Sequence, residues 1–415
     1  MTIEVLAVGD ELLSGATIDT NSNWIARELF ALGLQPARVT QVGDARADLR
    51  DAFAAAWERC RVLIVTGGLG PTVDDRTKEV VAEHLGDPLL LDEIVLEELR
   101  ARFARRERPM PETNVKQAML PQGGRKIPNP VGSAPGVHWE RDGREVFLLP
   151  GVPLEMQAML HGTVLPRLRE LYPVPDVRLA TFRTIGLPES ELAQRLLPLL
   201  EKHADVGWAF YAGAGGVDVK LRRTGGDLSS WEELGGAVGK LLGHFIYTEV
   251  PDEPLAEVVR RQLVERGWTL AVAESCTGGL VSARMTEVAG SSACFTGGFV
   301  TYADSAKAAW VGVPEALLRE HGAVSAPVAA AMALGARARA GADLALGVTG
   351  IAGPGGATAD KPVGLVFFAL AAPTGCWTRR VMLLQHREYN RRIASQLALD
   401  LVRRHLLGLS VGDPA

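Results

Sequence analysis

The stretch 272–307 carries Ser275, Thr277, Ser291, Ser292, Tyr302 and Lys307 on what read as turns and element ends. It runs apolar strand, polar turn, helix, small-residue loop and second strand, then opens a new helix at Asp304. A rigid α/β scaffold presents reactive side chains at such places. Asp304 reads as an N-cap, which puts Lys307 at the third helical position, facing the positive end of the helix dipole. That placement, with partial burial, favours an amine able to take a proton. A serine could then attack with lysine as its base, a variant of the Ser-His-Asp logic. Ser275 and Ser292 both qualify as the nucleophile, and a solvated lysine at a helix start fits the spacing equally well. Cys276 reads as a small buried filler and only secondarily as a nucleophile.

A second group lies near the start of the chain. An apolar run over residues 3–8 ends at Gly9-Asp10-Glu11, and another over 61–66 opens into Gly67-Gly68-Leu69-Gly70-Pro71-Thr72-Val73-Asp74-Asp75 before a helical pattern at 76–85. Strand, glycine-rich turn, helix is the layout of a doubly wound, mostly parallel sheet, with ligands at strand C-termini. The glycines let backbone N–H groups approach a phosphate, and the next helix start favours the anion. Asp10, Asp44, Asp74 and Asp75 supply oxygen ligands suited to a divalent cation, and a metal bridging phosphate oxygens is a common route to pyrophosphate hydrolysis. The competing reading makes the aspartates caps and the glycines plain turns.

The elements that must hold these residues divide the chain into three expected domains at 1–171, 172–251 and 252–415. Tyr172-Pro173-Val174-Pro175-Asp176 reads as a linker and Pro251-Asp252-Glu253-Pro254 as the next boundary. The first domain adds helices at 21–32, 49–59 and 154–171 and a strand at 145–149, after a turn-rich segment from 125. The middle segment reads as strand 178–185, helix 189–201, strands 209–212 and 217–223, helix 229–245 and strand 246–250: a small α+β, KH-like connector. Gly213-Ala214-Gly215-Gly216 sits in a hairpin there, not in the basic Gly-x-x-Gly loop that a nucleic-acid-binding KH domain needs. The last domain reads as α/β, with helices at 255–266, 327–340 and 388–407 and strands at 268–273, 344–348, 363–372 and 377–384.

Composition narrows the functional classes. With 415 residues, 47% hydrophobic and 22% charged, the chain has the make-up of a globular enzyme. A net charge of −5 and no basic stripe argue against direct nucleic-acid binding. No apolar run reaches a membrane span, the opening residues lack a leader pattern, and four cysteines without metal spacing suit reduced thiols. The expectation is a cytoplasmic protein.

Gly9-Asp10-Glu11-Leu12-Leu13, the Thr66–Asp75 loop and Leu149-Pro150-Gly151-Val152-Pro153-x-Glu155-Met156 resemble the molybdopterin-binding superfamily, in its branch within the CinA (competence/damage-inducible) proteins. That resemblance implies metal-dependent ADP-ribose pyrophosphatase activity, releasing AMP and ribose 5-phosphate. It implies a divalent metal ion (Mg, Mn or Co) at Asp10, Asp44, Asp74, Asp75 and Glu155, and a phosphate site at Gly67, Gly68, Gly70, Thr72 and Lys78. Ala273-Glu274-Ser275-Cys276-Thr277-Gly278-Gly279, Gly290-Ser291-Ser292, Val300-Thr301-Tyr302-x4-Lys307, Gly322-Ala323-Val324-Ser325 and Thr349-Gly350-Ile351-Ala352-Gly353-Pro354 resemble the nicotinamide mononucleotide deamidase domain of the same family. The implied reaction is hydrolysis of the carboxamide to nicotinate mononucleotide and ammonia, without a cofactor in that domain.

In that reaction a serine attacks, Lys307 accepts its proton and Tyr302 relays or orients it. Ser292 suits the family pattern as nucleophile, while Ser275 at a strand-to-helix turn suits a nucleophile elbow or an oxyanion contact. Backbone N–H groups near a helix start, or Thr349, would polarise the oxyanion. Thr277, Gly278, Gly350, Arg387 and Arg391 would hold the substrate. The middle segment reads as a structural or dimer-forming unit, the resemblance implies a connector of that kind, and the expected assembly is a homodimer. The rival reading is a nucleotide- or pterin-binding module without turnover, and a third is a DNA-uptake partner.

Overall fold

The computed structural model describes residues 2–172, 176–383 and 386–415, which fall into two compact units, Met1–Val177 and Arg178–Ala415. The linker residues 173–175 and the expected strand end at Leu384 lie outside the described residues.

The first unit contains β1 (Ile3–Val8), β2 (Arg38–Val42), β3 (Val62–Thr66), β4 (Leu89–Leu91), β5 (Met119–Pro121), β6 (Arg125–Ile127), β7 (Gly136–Arg141) and β8 (Arg144–Leu149). Every residue of β1 and β3 is buried, as expected for central strands covered on both faces. The six-stranded sheet has the order β2-β1-β3-β8-β7-β6. Parallel register pairs Val8 with Val42, Ala7 with Thr66 and Thr66 with Leu149, so four strands end on one edge. β7 runs antiparallel to β8 and β6, turning the segment after 125 into a meander rather than a plain loop.

The helix expected at 154–171 is three pieces: Pro153–Met159, a π-turn at Leu160–Val164, and Leu165–Leu171. The wider turn keeps Met159, Leu160, Val164, Leu165 and Leu168 all on the core face, which an uninterrupted 3.6-residue period would not do. The helix Glu93–Ala104 went unread, since its apolar stripe is only Val95, Leu96 and Leu99 between charged neighbours.

The second unit opens with β9 (Val177–Thr184), β10 (Gly207–Gly213), β11 (Gly216–Thr224) and β12 (Ile246–Thr248), in the order β10-β11-β9-β12, with helices Glu189–Lys202 and Leu228–Leu242. Gly213 pairs with Gly216 across the expected hairpin. At Gly216 (φ 125°) a Cβ would stand 1.8 Å from the Thr184 carbonyl oxygen, so glycine is required there.

A second six-stranded sheet follows: β13 (Leu270–Glu274), β14 (Phe295–Val300), β15 (Leu344–Gly350), β16 (Leu365–Ala372), β17 (Gly375–Met382) and β18 (Asp413–Pro414), in the order β14-β13-β15-β16-β17-β18. β13 is parallel to β14 and β15, and the remaining pairs are antiparallel. The helices are Leu255–Arg266, Leu280–Thr286, Asp304–Val311, Glu315–His321, Ala326–Ala340 and Arg387–Leu406. Residues on both sides of position 251 belong to this unit. Arg403, 2% exposed, pairs with Asp400 at 2.6 Å and donates to the carbonyl oxygens of His244 (3.0 Å) and Ile246 (3.4 Å). Among the described residues no helix is long and apolar enough to cross a membrane.

Candidate active sites

In the first unit the turns after β1, β2, β3 and β8 border one cleft of about 380 Å³. Gly67 (φ 109°) lies against β1 so closely that a Cβ would stand 2.1 Å from the Val8 carbonyl oxygen. Its N–H donates to Leu149. The N–H groups of Gly68, Leu69 and Gly70 have no protein acceptor among the described residues, which leaves them available to an anion. Thr72 is committed elsewhere: its N–H and hydroxyl donate to Asp75 Oδ2 at 2.8 and 2.5 Å and close the turn.

Asp10 and Asp44 hold one another. The Asp10 N–H donates to Asp44 Oδ2 at 2.9 Å, and the Asp44 N–H donates to Asp10 Oδ1 at 3.0 Å. Burial pushes the Asp44 carboxyl above its ordinary range; the Asp10 N–H opposes this, and the charges of Asp10, Glu11 and Asp75 add to it. A cation would relieve that crowding, and an all-oxygen donor set suits a hard divalent ion. Among the described residues no three acidic, histidine or cysteine side chains are grouped tightly enough to enclose a metal. A divalent ion here would have to be held by one or two carboxylates together with substrate oxygens and water. Asp74 lines the cleft and is exposed.

Two expected ligands sit differently. Lys78 is 5% exposed and donates to the carbonyl oxygens of Lys116 (3.0 Å) and Gln117 (3.3 Å), so it props the cleft wall instead of reaching a phosphate. Burial brings its amine down to about 8, against the raising effect of Glu79. Glu155 lines the cleft but accepts from Asn129 Nδ2 at 2.6 Å, packs against Gly132, and is not among the charges felt by Asp44. It stands apart from the Asp10–Asp44–Asp75 group.

In the second unit Ser275 follows β13 and Tyr302 follows β14, adjacent parallel strands paired at Glu274 and Val300. The Ser275 N–H donates to the Val348 carbonyl of β15, and the Thr301 N–H donates to the Glu274 carbonyl. Lys307 is 1% exposed and donates to the Tyr302 carbonyl at 3.1 Å and to Asp304 Oδ1 at 3.2 Å. Ala303, not Asp304, is the N-cap, so Lys307 is the fourth helical residue and the Asp304 carboxylate is its partner. Tyr302 is 59% exposed, and its hydroxyl accepts from Arg387 Nη2 at 3.1 Å. Lys307 thus meets the Tyr302 carbonyl, not its hydroxyl, and the expected direct relay between the two side chains is not formed.

Ser292 is excluded from this group. It lies in the 3₁₀ turn Ser291–Ala293 ahead of β14, at the end of the sheet where Leu270 donates to the Cys294 carbonyl. Parallel strands carry Ser275, Tyr302 and Lys307 to the opposite edge. Thr349 is fully buried and its hydroxyl donates to the Ala323 carbonyl at 2.8 Å, holding that loop. Gly350 allows β15 and β16 to meet, since a Cβ would stand 2.7 Å from the Leu365 carbonyl oxygen.

The helix Arg387–Leu406 places three side chains on one face. Arg387 Nη1 donates to the Gly353 carbonyl at 2.6 Å, Asn390 Nδ2 to the Ala352 carbonyl at 3.1 Å, and Arg391 to the Thr277 carbonyl at 2.9 and 3.3 Å. Arg391 also packs on Gly278, where a Cβ would approach it to 3.3 Å. Cys276 is buried, and that burial pushes its thiol up to about 12, which removes the nucleophilic thiolate near neutrality.

Family models described as the CinA C-terminal domain, a probable molybdopterin binding domain and the damage-inducible protein CinA KH domain match residues 252–406, 4–170 and 180–248. A putative competence-damage inducible protein of Symbiobacterium thermophilum is 44% identical over 424 residues, covering 98% of this chain and 99% of its own. The chain belongs to the CinA family. A CinA-like protein of Myxococcus xanthus is 42% identical over 417 residues, covering 98% of this chain and 99% of its own. A solved competence/damage inducible protein of Agrobacterium tumefaciens is 41% identical, covers 37% of this chain and 93% of its own, and superposes with a TM-score of 0.36.

Four residues that matter to this CinA chain escaped the sequence reading. Glu274 is fully buried; its carboxylate accepts from the N–H groups of Gly279 (3.0 Å), Val281 (3.0 Å) and Ser282 (2.9 Å) and from the Ser282 hydroxyl (2.7 Å). It caps the helix Leu280–Thr286 from the preceding strand. Asn390 was legible from its i+3 spacing to Arg387. Lys116, which donates to the Thr72 carbonyl at 3.2 Å and pairs with Glu79, and Gln117, which lines the cleft, lie at no strand end or glycine turn.

Proposed function

We propose that the second unit hydrolyses the carboxamide of nicotinamide mononucleotide to nicotinate mononucleotide and ammonia, with Ser275 as nucleophile and Lys307 as the base. The observation that carries this reading is the buried Lys307 amine at the end of β14, one strand from the Ser275 turn. Ser275 Oγ adds to the carboxamide carbon and its proton passes to Lys307. Arg387 holds Tyr302 by its hydroxyl, which leaves the phenolic proton free to meet the substrate. Arg387 and Arg391 bring guanidinium groups to the loops that border the site, a placement suited to a substrate phosphate. The test is ammonia release from nicotinamide mononucleotide by the purified protein with chelator present. Turnover by the wild type that is lost in Lys307→Ala supports the reading; no ammonia from folded wild-type protein ends it.

For the first unit we propose metal-dependent hydrolysis of ADP-ribose to AMP and ribose 5-phosphate. Asp10 and Asp44 would hold a divalent ion, with Asp75 beside them, while the amides of Gly68, Leu69 and Gly70 take a phosphate oxygen. When bound, the ion would supply charge neutralisation across the diphosphate. Pterin or nucleotide binding without turnover is the rival, separated by whether AMP appears when metal is supplied. We further propose that the protein is a homodimer; its acidic balance favours small-molecule substrates over direct nucleic-acid binding.

A further inference from the structure

The amide hydrolysis proposed above needs donors aimed at the oxygen that becomes negative, and the expected ones are committed. Glu274 takes the N–H groups of Gly279, Val281 and Ser282, and the Thr349 hydroxyl donates to Ala323. The turn between them differs. The N–H groups of Cys276 and Thr277 donate to no oxygen among the described residues; the Cys276 sulfur, a weak acceptor, is what lies near both. Independently, the Thr277 hydroxyl is enclosed with no hydrogen-bond partner, in a residue with no exposed surface. Buried donors without acceptors are uncommon, and the Thr277 hydroxyl is one; the two N–H groups beside it meet only a weak sulfur acceptor.

The turn is also held rigid from outside. Arg391 grips the Thr277 carbonyl at 2.9 and 3.3 Å, and Glu274 grips the backbone from Gly279 onward. Donors fixed in advance need no rearrangement when charge develops on a substrate. Their position is apt as well. When a serine attacks a carbonyl carbon, the oxyanion lies one bond from that carbon, within reach of the N–H of the residue after the serine.

We propose that the main-chain N–H groups of Cys276 and Thr277, together with the Thr277 hydroxyl, form the oxyanion hole for acyl transfer at Ser275. The inference rests on the amidase reading above and names the part of the site that does its electrostatic work. The Ser275 Oγ–C bond forms as the carbonyl π pair moves to oxygen, where the three donors meet it, and the serine proton passes to Lys307. The pair returns as the C–N bond breaks, and the leaving nitrogen takes that proton to depart as ammonia. Water then attacks the acyl-serine through a second oxyanion in the same hole and releases the carboxylate, its proton restoring the serine hydroxyl.

The test uses the full chain with Thr277→Val, which keeps shape and removes the hydroxyl, and Thr277→Ser, which restores it. Ammonia release, thermal midpoint and affinity for an aldehyde analogue of nicotinamide mononucleotide, which forms a reversible hemiacetal with the nucleophile, are measured for each. The expected result is a kcat about 100-fold lower in Thr277→Val, a KM within about threefold, and a matching loss of aldehyde affinity, with Thr277→Ser recovering most of both. An active wild type beside a Thr277→Val variant within about threefold in kcat overturns the inference alone. So does a kcat loss that tracks a lowered thermal midpoint and leaves aldehyde affinity unchanged, since that is packing. A wild type that releases no ammonia removes the amidase reading and the oxyanion hole with it.

Discussion

Ser292 and Lys307 stand at opposite ends of β14: the serine lies in the turn ahead of the strand, and the lysine reaches back to the Tyr302 carbonyl just beyond it. Six residues at about 3.3 Å each put roughly 20 Å between those ends. Ser275 shares the lysine's edge. Ser275→Ala is expected to lower kcat for ammonia release by at least about 1000-fold, while Ser292→Ala stays within about threefold. Equal losses in the two variants would defeat the assignment.

Glu274 fixes the shape of the Ser275 turn through four accepted hydrogen bonds. In Glu274→Gln an amide would face N–H donors, leaving buried groups unmatched. A loss of about 2–3 kcal/mol in the second unit is expected from urea unfolding, with kcat falling more than KM rises. An unchanged unfolding midpoint would show that the turn holds its shape without the carboxylate.

Cys276 adjoins Ser275, yet burial has pushed its thiol up to about 12. At pH 8 the thiolate is a minute fraction. Iodoacetamide should leave Cys276 unlabelled in the folded protein while ammonia release continues, as peptide mass mapping can record. Rapid labelling with parallel loss of activity would make the cysteine the nucleophile.

Lys78 titrates at about 8 in the folded chain against 10.5 as its ordinary value, chiefly because burial disfavours the ammonium. Between those values the unfolded chain binds a proton that the folded chain does not, so stability contributed by this site rises with pH through that window. It is lowest below the folded value. The unfolding free energy of the wild type relative to Lys78→Met should therefore climb by up to about 3 kcal/mol from pH 7.5 to 10.5. A flat difference across that range would mean the amine is not desolvated.

Chelation should separate the two proposed activities. Removing divalent metal is expected to abolish AMP formation from ADP-ribose and leave ammonia release intact, and Asp44→Asn should reproduce the first effect in the presence of metal. Parallel loss of both products on chelation would contradict two independent sites.

The sequence made the sheets legible because buried parallel strands such as Ile3–Val8 and Val62–Thr66 are near-continuous apolar runs ending at glycine or aspartate. Candidates on those ends, Asp10, Asp44, Ser275 and Tyr302, all reached the expected edges. Ser292 does not join them, because nine residues and a whole strand lie between it and Tyr302. Lys78 and Thr349 failed for another reason. Position on an element end says where a side chain starts, whereas its hydrogen-bond partner is set by segments far along the chain, at 116–117 and 323. Glu274 was hidden because a carboxylate closing an apolar strand looks misplaced until the amides of the following turn are seen around it.

Arg403 bears on how the gene can be dissected. Its guanidinium, on the last helix, is satisfied by Asp400 and by the carbonyls of His244 and Ile246, residues from before the apparent boundary at 251. A truncation starting at 252 would strip a buried cation of two acceptors and expose the face they covered. A fragment starting at Val177 keeps them. A library designer shuffling modules among related chains should therefore treat the KH-like segment and the last domain as one cassette, exchanged together.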